Sequence, residues 1–257
     1  MATIGNTISS DPAGRGRAGA AASRWASATL AFLVGVALLA LGLPRLEAAL
    51  IVLPAAPALE ALSAGRSIDT RTLEAAARAH DRALSFVAET ANAEALGRLR
   101  LAQVSLKDPD TPGDREALNR SIAALRQSLA LAPASPYRWL DLAFAEGLAQ
   151  GIGPAVLPAL RMSVATGPYT RGLLMRRLGL GLRVWTSLDP TTRGLLEADI
   201  RALGRDNPYM LAVFAKQQYA AATIRRALRD DPASLRRFDE IYVRPADTLD
   251  KMPVNPP

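Results

Sequence analysis

The sequence predicts an all-α protein: one amino-terminal transmembrane helix followed by a domain of paired α-helices. Three observations lead there. Trp25 to Leu43 is a run of nineteen residues without a charge. Aromatic residues make up 5% of the chain, and Ala, Leu and Arg dominate, which favours helix over strand on propensity. The stretch Asp114 to Gly151 reads as two amphipathic helices joined by a Pro-rich corner.

Residues 1–23 are rich in Gly, Ala and Ser and are expected to be a disordered cytoplasmic tail. The uncharged run, about 28 Å long as a helix, matches the hydrocarbon thickness of a bilayer. It predicts an anchor over 24–44, through which the chain meets the membrane. Arg15, Arg17 and Arg24 precede it, and the positive-inside rule puts the amino terminus in the cytoplasm and the rest across the membrane. Trp25 stands where an interfacial aromatic belongs. An uncleaved anchor is the favoured reading. A cleaved leader would use Ala56-Pro57-Ala58, a distant site. Residues 45–66, interrupted by Pro54 and Pro57, are expected to be a membrane-proximal linker.

The folded domain is expected over 67–242. Asp69 predicts an N-cap for a helix from Thr70 to Glu89, followed by another from Ala93 to Leu106. Lys107 to Gly113 reads as a loop. Leu118, Ile122, Leu125 and Leu129 then form one apolar stripe at helical spacing. Pro133 cannot continue that helix. Ser135 is an N-cap, with Pro136 at the first helical position, where a missing N–H costs nothing. Gly151 and Gly153 end the second helix. So short a corner forces the pair antiparallel. A short helix is expected from Pro154 to Ala165, then others over 169–188 and 191–204. The Pro-Tyr corner recurs at Pro168-Tyr169 and Pro208-Tyr209, spaced 32 and then 40 residues along. Leu235 to Tyr242 is expected to cap the array, and 243–257, with four prolines, to be an extended tail.

Trp139, Leu142 and Ala143 follow the large, Leu, small spacing of a tetratricopeptide repeat's first helix. Leu211, Phe214 and Ala215 occupy the same positions after the last corner, and Ala93, Leu96 and Gly97 reproduce the spacing upstream. Ser121, Leu125, Ser128 and Pro133 follow the small, large, small, proline spacing of the second helix. The chain departs from the family pattern in two places: Glu146 stands at an aromatic position, and Ser121 and Ser128 stand where Ala is usual. The sequence therefore resembles a degenerate tetratricopeptide-repeat array. The resemblance implies an α–α solenoid that binds protein partners without catalysing a reaction.

Catalytic and cofactor signatures are missing from the sequence. It contains no cysteine and one histidine, so thiolate and multi-histidine metal sites are excluded by count. His80 sits among Ala and Arg and reads as a packing residue. Asp108 and Asp110 flank a proline in a loop and read as a solvated turn. Gly179-Leu180-Gly181 lies within a helix with no strand before it, so it is not a nucleotide loop. Neither a cofactor nor a metal is expected.

Net charge is +7, and residues 160–257 carry most of it, with sixteen basic and ten acidic residues. Arg171, Arg176, Arg177, Arg183, Arg225, Arg226 and Arg229 are the candidate face for an anionic ligand; a solvated helix surface is the favoured reading of the set. Two functional expectations follow. One is a single-pass scaffold in a bacterial inner membrane whose periplasmic repeats bind proteins, in envelope or exopolysaccharide assembly. The other is a binding module for anionic lipid or polysaccharide. Nucleic acid is a poor partner outside the cytoplasm.

Overall fold

A computed structural model describes residues 13–104 and 111–244, with side chains from residue 29 onward. Residues 1–12 of the tail expected over 1–23, residues 245–257 of the tail expected over 243–257, most of the 107–113 loop, and the surroundings of the Trp25 side chain lie outside the described residues. Within them all regular structure is helical, and twelve α-helices follow one another with no strand.

The first helix, α1 (Ala13–Val52), is 40 residues long, or about 60 Å at the rise of an α-helix. It is longer than the expected anchor at both ends. Residues 13–23 are helical rather than disordered, and the helix passes through Pro44. The expected linker is largely helical too. After a 3-10 turn at Leu53–Ala55 comes α2 (Ala56–Ser63). Pro54 and Pro57 each fall in a first turn, where no backbone donor is lost. Ala48, Ala55 and Ala58 are buried, and α1 packs on α3 (Thr70–Phe86). Thr29–Ser63 is long and apolar enough to cross a membrane by length and composition, with a window of mean hydropathy 2.0 of which 6% is buried. A core helix would be mostly buried, so the described residues leave this apolar wall uncovered.

From α3 to α7 each helix packs mainly on its sequence neighbour: α4 (Thr90–Gln103), α5 (Pro112–Leu131), α6 (Pro136–Gln150), α7 (Leu157–Thr166). Five of the described helix starts share one device. A side-chain acceptor caps the helix and proline fills its first position: Thr111-Pro112, Ser135-Pro136, Asp189-Pro190, Asn207-Pro208 and Asp231-Pro232. The cap oxygen takes one of the amides a helix start leaves unpaired, and proline presets the backbone angle. Asp69 caps α3 in the same way, accepting from the Thr72 amide at 2.9 Å. Gly151 ends α6 at φ +85°, a conformation glycine adopts without strain.

The second expected Pro-Tyr corner does not start a helix. Gly167 offers no cap oxygen, and Tyr169 adopts a left-handed φ of 61°. The chain turns there, passes a 3-10 segment at Arg171–Leu173, and only then forms α8 (Leu174–Arg183). Another 3-10 turn leads to α9 (Pro190–Asp206), α10 (Pro208–Gln217), α11 (Ala221–Ala227) and α12 (Pro232–Tyr242). A small core joins α2 to α5 around Leu73, Leu96 and Leu99. A larger one runs from α5 to α12 around Leu125, Leu140, Leu178, Leu196 and Phe238.

Candidate interaction grooves

Helices α4, α6 and α8 contact one another in turn. Along them runs a groove of about 500 Å³ lined by Arg98 and Leu101 of α4, Asp141, Phe144 and Leu148 of α6, and Arg176 of α8, with Leu62 of α2 at one end. Asp141 is the pivot. Its side chain is 8% exposed and meets Arg176 at 2.6 Å and Arg98 at 3.8 Å. The Arg176 guanidinium also lies over the Phe144 ring, 5.1 Å from its centre. Two cations against one carboxylate leave the groove with a net positive charge above an apolar floor. Next to it, Arg138 of α6 binds Glu94 of α4 at 2.6 Å.

A second groove of about 620 Å³ opens on the other side of α6, between α5 and α7. Trp139, Leu142, Leu129 and Pro158 line it. Glu146 also lines it, paired with Arg126 at 2.8 Å. This pair accounts for the acidic residue at an aromatic position: Glu146 is buried, and the cation from α5 offsets the cost of burying it.

The sequence-derived packing residues fall into place unevenly. Leu142, Ala143, Leu211, Phe214 and Ala215 are buried. Trp139 is half-buried at the rim of the second groove, its indole N–H donating to the Pro133 carbonyl at 2.7 Å. Ser121 and Ser128 are fully buried, and their hydroxyls donate to the carbonyls of Gly97 and Thr90 on α4. Ser163 of α7 does the same to Pro136 of α6. The serines thus hold neighbouring helices together where alanine would only fill space.

The seven arginines do not form one face. Arg177 is completely buried; it donates to the Ser163 hydroxyl at 3.1 Å, to the Ser163 carbonyl, and to the Gly167 carbonyl at 2.9 Å. Asp199 lies 3.8 Å from it. Arg171 pairs with Asp206, Arg176 with Asp141, and Arg225 with Asp239. Arg225 also lies over the Tyr242 ring at 5.0 Å. Arg183, Arg226 and Arg229 are exposed. What the sequence could not reveal was the three-dimensional pairing of Arg177 with Asp199, residues on different helices. Burial pushes the Asp199 carboxyl up to about 6, although the Arg177 charge and the Tyr169 amide both act to lower it.

His80 is buried. Its Nδ1 lies 3.1 Å from the Asn92 amide oxygen, while the Asn92 NH2 donates to Glu89. That chain makes Nδ1 the protonated nitrogen. Burial lowers the His80 pKa, and the Asn92 bond opposes the shift. No group of three His, Asp or Glu side chains able to hold a metal occurs among the described residues. No family model, no curated protein and no solved structure matches the chain.

Proposed function

We propose that the protein is a membrane-anchored adaptor whose helical array, organised like a tetratricopeptide solenoid, binds a protein segment in the α4–α6–α8 groove. The observation that carries this reading is the groove's make-up. Leu101, Phe144 and Leu148 supply an open apolar floor, and the Arg98–Asp141–Arg176 rung supplies polar groups already held in place. Such a strip suits an extended peptide or a helix with apolar anchors, because preordered groups cost little to fix on binding. The groups that line it are committed to structure: the Ser63 hydroxyl donates to the Leu59 carbonyl, and Asp141 is engaged with two cations.

In this reading α1 holds the array at a bacterial inner membrane, with the amino terminus in the cytoplasm and the repeats on the periplasmic side. The arginines before the apolar run support that orientation. Envelope or exopolysaccharide assembly is the setting that placement suggests. The alternative, an anionic lipid or polysaccharide ligand, rests on Arg183, Arg226 and Arg229. It is the weaker reading, since Arg177 is buried and three others are paired.

The test is affinity capture with the full chain in detergent micelles, run beside a Phe144→Glu/Leu148→Glu variant. A discrete partner retained by the first and lost by the second is expected. Equal recovery by both would contradict the groove as the binding site. For sidedness, an alkaline phosphatase fused after Pro257 should be active; an inactive fusion would contradict the orientation.

A further inference from the structure

We infer that one end of the helical array rests on the bilayer surface, where aromatic side chains from successive corners enter the lipid headgroups. The inference rests on α1 being an anchor and is independent of what the α4–α6–α8 groove binds.

The anchor and the array are joined without a loose linker. α1 runs unbroken to Val52, and its last part packs on α3, with Ala48 fully buried. The elbow that follows is fixed as well, since Ala55 and Ala58 are buried. A bilayer around the uncharged run therefore meets the same end of the array at all times.

Packing identifies that end. In the elbow, Pro54 and Ala58 share a small cavity with Thr72, Ala76 and Ala79 of α3. Only the later part of α3 is left for α1 to pack on, so the two helices run antiparallel. Arg45 stands as far before Ala55 as Phe86 stands beyond Ala76, about 15 Å along a helix in each case. Phe86 and the turn after α3 thus come level with Arg45, the first charge after the uncharged run.

The later corners lie at this same end. Ser128, near the end of α5, donates to the Thr90 carbonyl at the start of α4, at 3.1 Å. Ser163, near the end of α7, donates to the Pro136 carbonyl at the start of α6, at 2.8 Å. Arg171, just before α8, pairs with Asp206 at the end of α9, at 3.2 Å. The turns after α3, α5, α7 and α9 therefore form one row. Each of the first three raises exposed apolar surface: Phe86, then Leu131 and Tyr137, then Tyr169.

Tyr169 shows what the row is built for. Its φ of 61° is one that residues with a side chain rarely take. Asp199 accepts a hydrogen bond from its amide and so holds the turn. The ring is left 59% exposed. A disfavoured backbone is thus kept in a place where it directs an aromatic ring outward. Tyrosine joins an apolar ring to a polar tip, which suits the headgroup layer of a bilayer. Arg171 is already paired within the row, so the contact rests on the rings rather than on anionic headgroups.

The chain has no cysteine, so a fluorophore can be placed on one introduced thiol. The full chain is reconstituted in phosphatidylcholine vesicles that carry a nitroxide quencher high on the acyl chain. Fluorophores at Ala88→Cys and Ala134→Cys, in the first two corners, should be quenched about threefold more than at Ile152→Cys and Gln217→Cys, after α6 and at the end of α10. Adding Tyr137→Ser and Tyr169→Ser should remove the excess at Ala134→Cys. Leu38→Cys, inside the uncharged run, should be quenched throughout. Equal weak quenching at both ends, with Leu38→Cys still quenched, would overturn the inference and leave the anchor standing. An unquenched Leu38→Cys would overturn both. An excess that survives the serine changes would overturn the part given to the rings.

Discussion

The hydroxyl of Ser121 on α5 donates to the carbonyl of Gly97 on α4 across 2.7 Å, with both residues buried. The close approach needs Gly97, since a Cβ there would lie 2.7 Å from Cγ of Leu125. Gly97→Val should lower stability by about 1–3 kcal/mol through overpacking, although valine is the better helix former. Ser121→Ala should cost about 1 kcal/mol, because the Gly97 carbonyl keeps its own helical bond. Thermal and urea unfolding of the two variants check both numbers, and a stabilised Gly97→Val would contradict the packing described.

Arg177 should be indispensable at neutral pH for a structural reason. Arg177→Met removes the donors to Ser163 and Gly167 and strands the Asp199 carboxylate, so it should cost about 3–5 kcal/mol at pH 7. Asp199 already binds a proton near pH 6 in the folded chain, above its ordinary 3.8. A raised carboxyl favours the fold below 3.8, and that contribution is lost as pH rises through about 6. The Arg177→Met penalty should therefore shrink at pH 5, where Asp199 is neutral. A penalty independent of pH would contradict the pairing.

His80 acts in the opposite sense over the same range. Its pKa in the fold lies below the ordinary 6.5, so the unfolded chain binds the proton more tightly. Stability from the neutral, Asn92-bonded ring is full above 6.5 and falls as the pH drops below it. In His80→Leu that acid loss should disappear, leaving the stability–pH curve with the Asp199 slope alone. Urea midpoints between pH 7 and pH 5 measure it.

Much of this fold was legible in short signals, and the failures have physical causes. Asp69 and Ser135 are caps in the structure as in the sequence, and the Leu118–Leu129 stripe is buried. The shared signal is a capping side chain followed by proline, which also marks the starts at Thr111, Asp189 and Asp231. Counting Pro-Tyr pairs instead singled out Pro168-Tyr169, where Gly167 has no side chain to cap with and the chain turns. The anchor expected over 24–44 also falls short, because α1 continues through Pro44 to Val52. The arginine set was the least legible. Charge along a sequence does not show which guanidinium a distant carboxylate will claim, and Asp141, Asp199, Asp206 and Asp239 claim four of the seven.

Those pairings make a prediction about anionic ligands. Arg183, Arg226 and Arg229 are the exposed members of the set, so a triple change to Gln should leave binding to anionic vesicles within about twofold of the parent chain. A loss proportional to the charge removed would favour the lipid or polysaccharide reading instead.

The most direct measurement of the groove's role places a photo-activated phenylalanine analogue at Phe144, in the full chain in its membrane. A second chain carries the analogue at Tyr219, which is 95% exposed and away from the groove. Illumination should join the Phe144 position to a protein of discrete mass and leave the Tyr219 position unlinked. Adducts of the same pattern at both positions, or none at Phe144, would contradict a protein-binding groove on α4, α6 and α8.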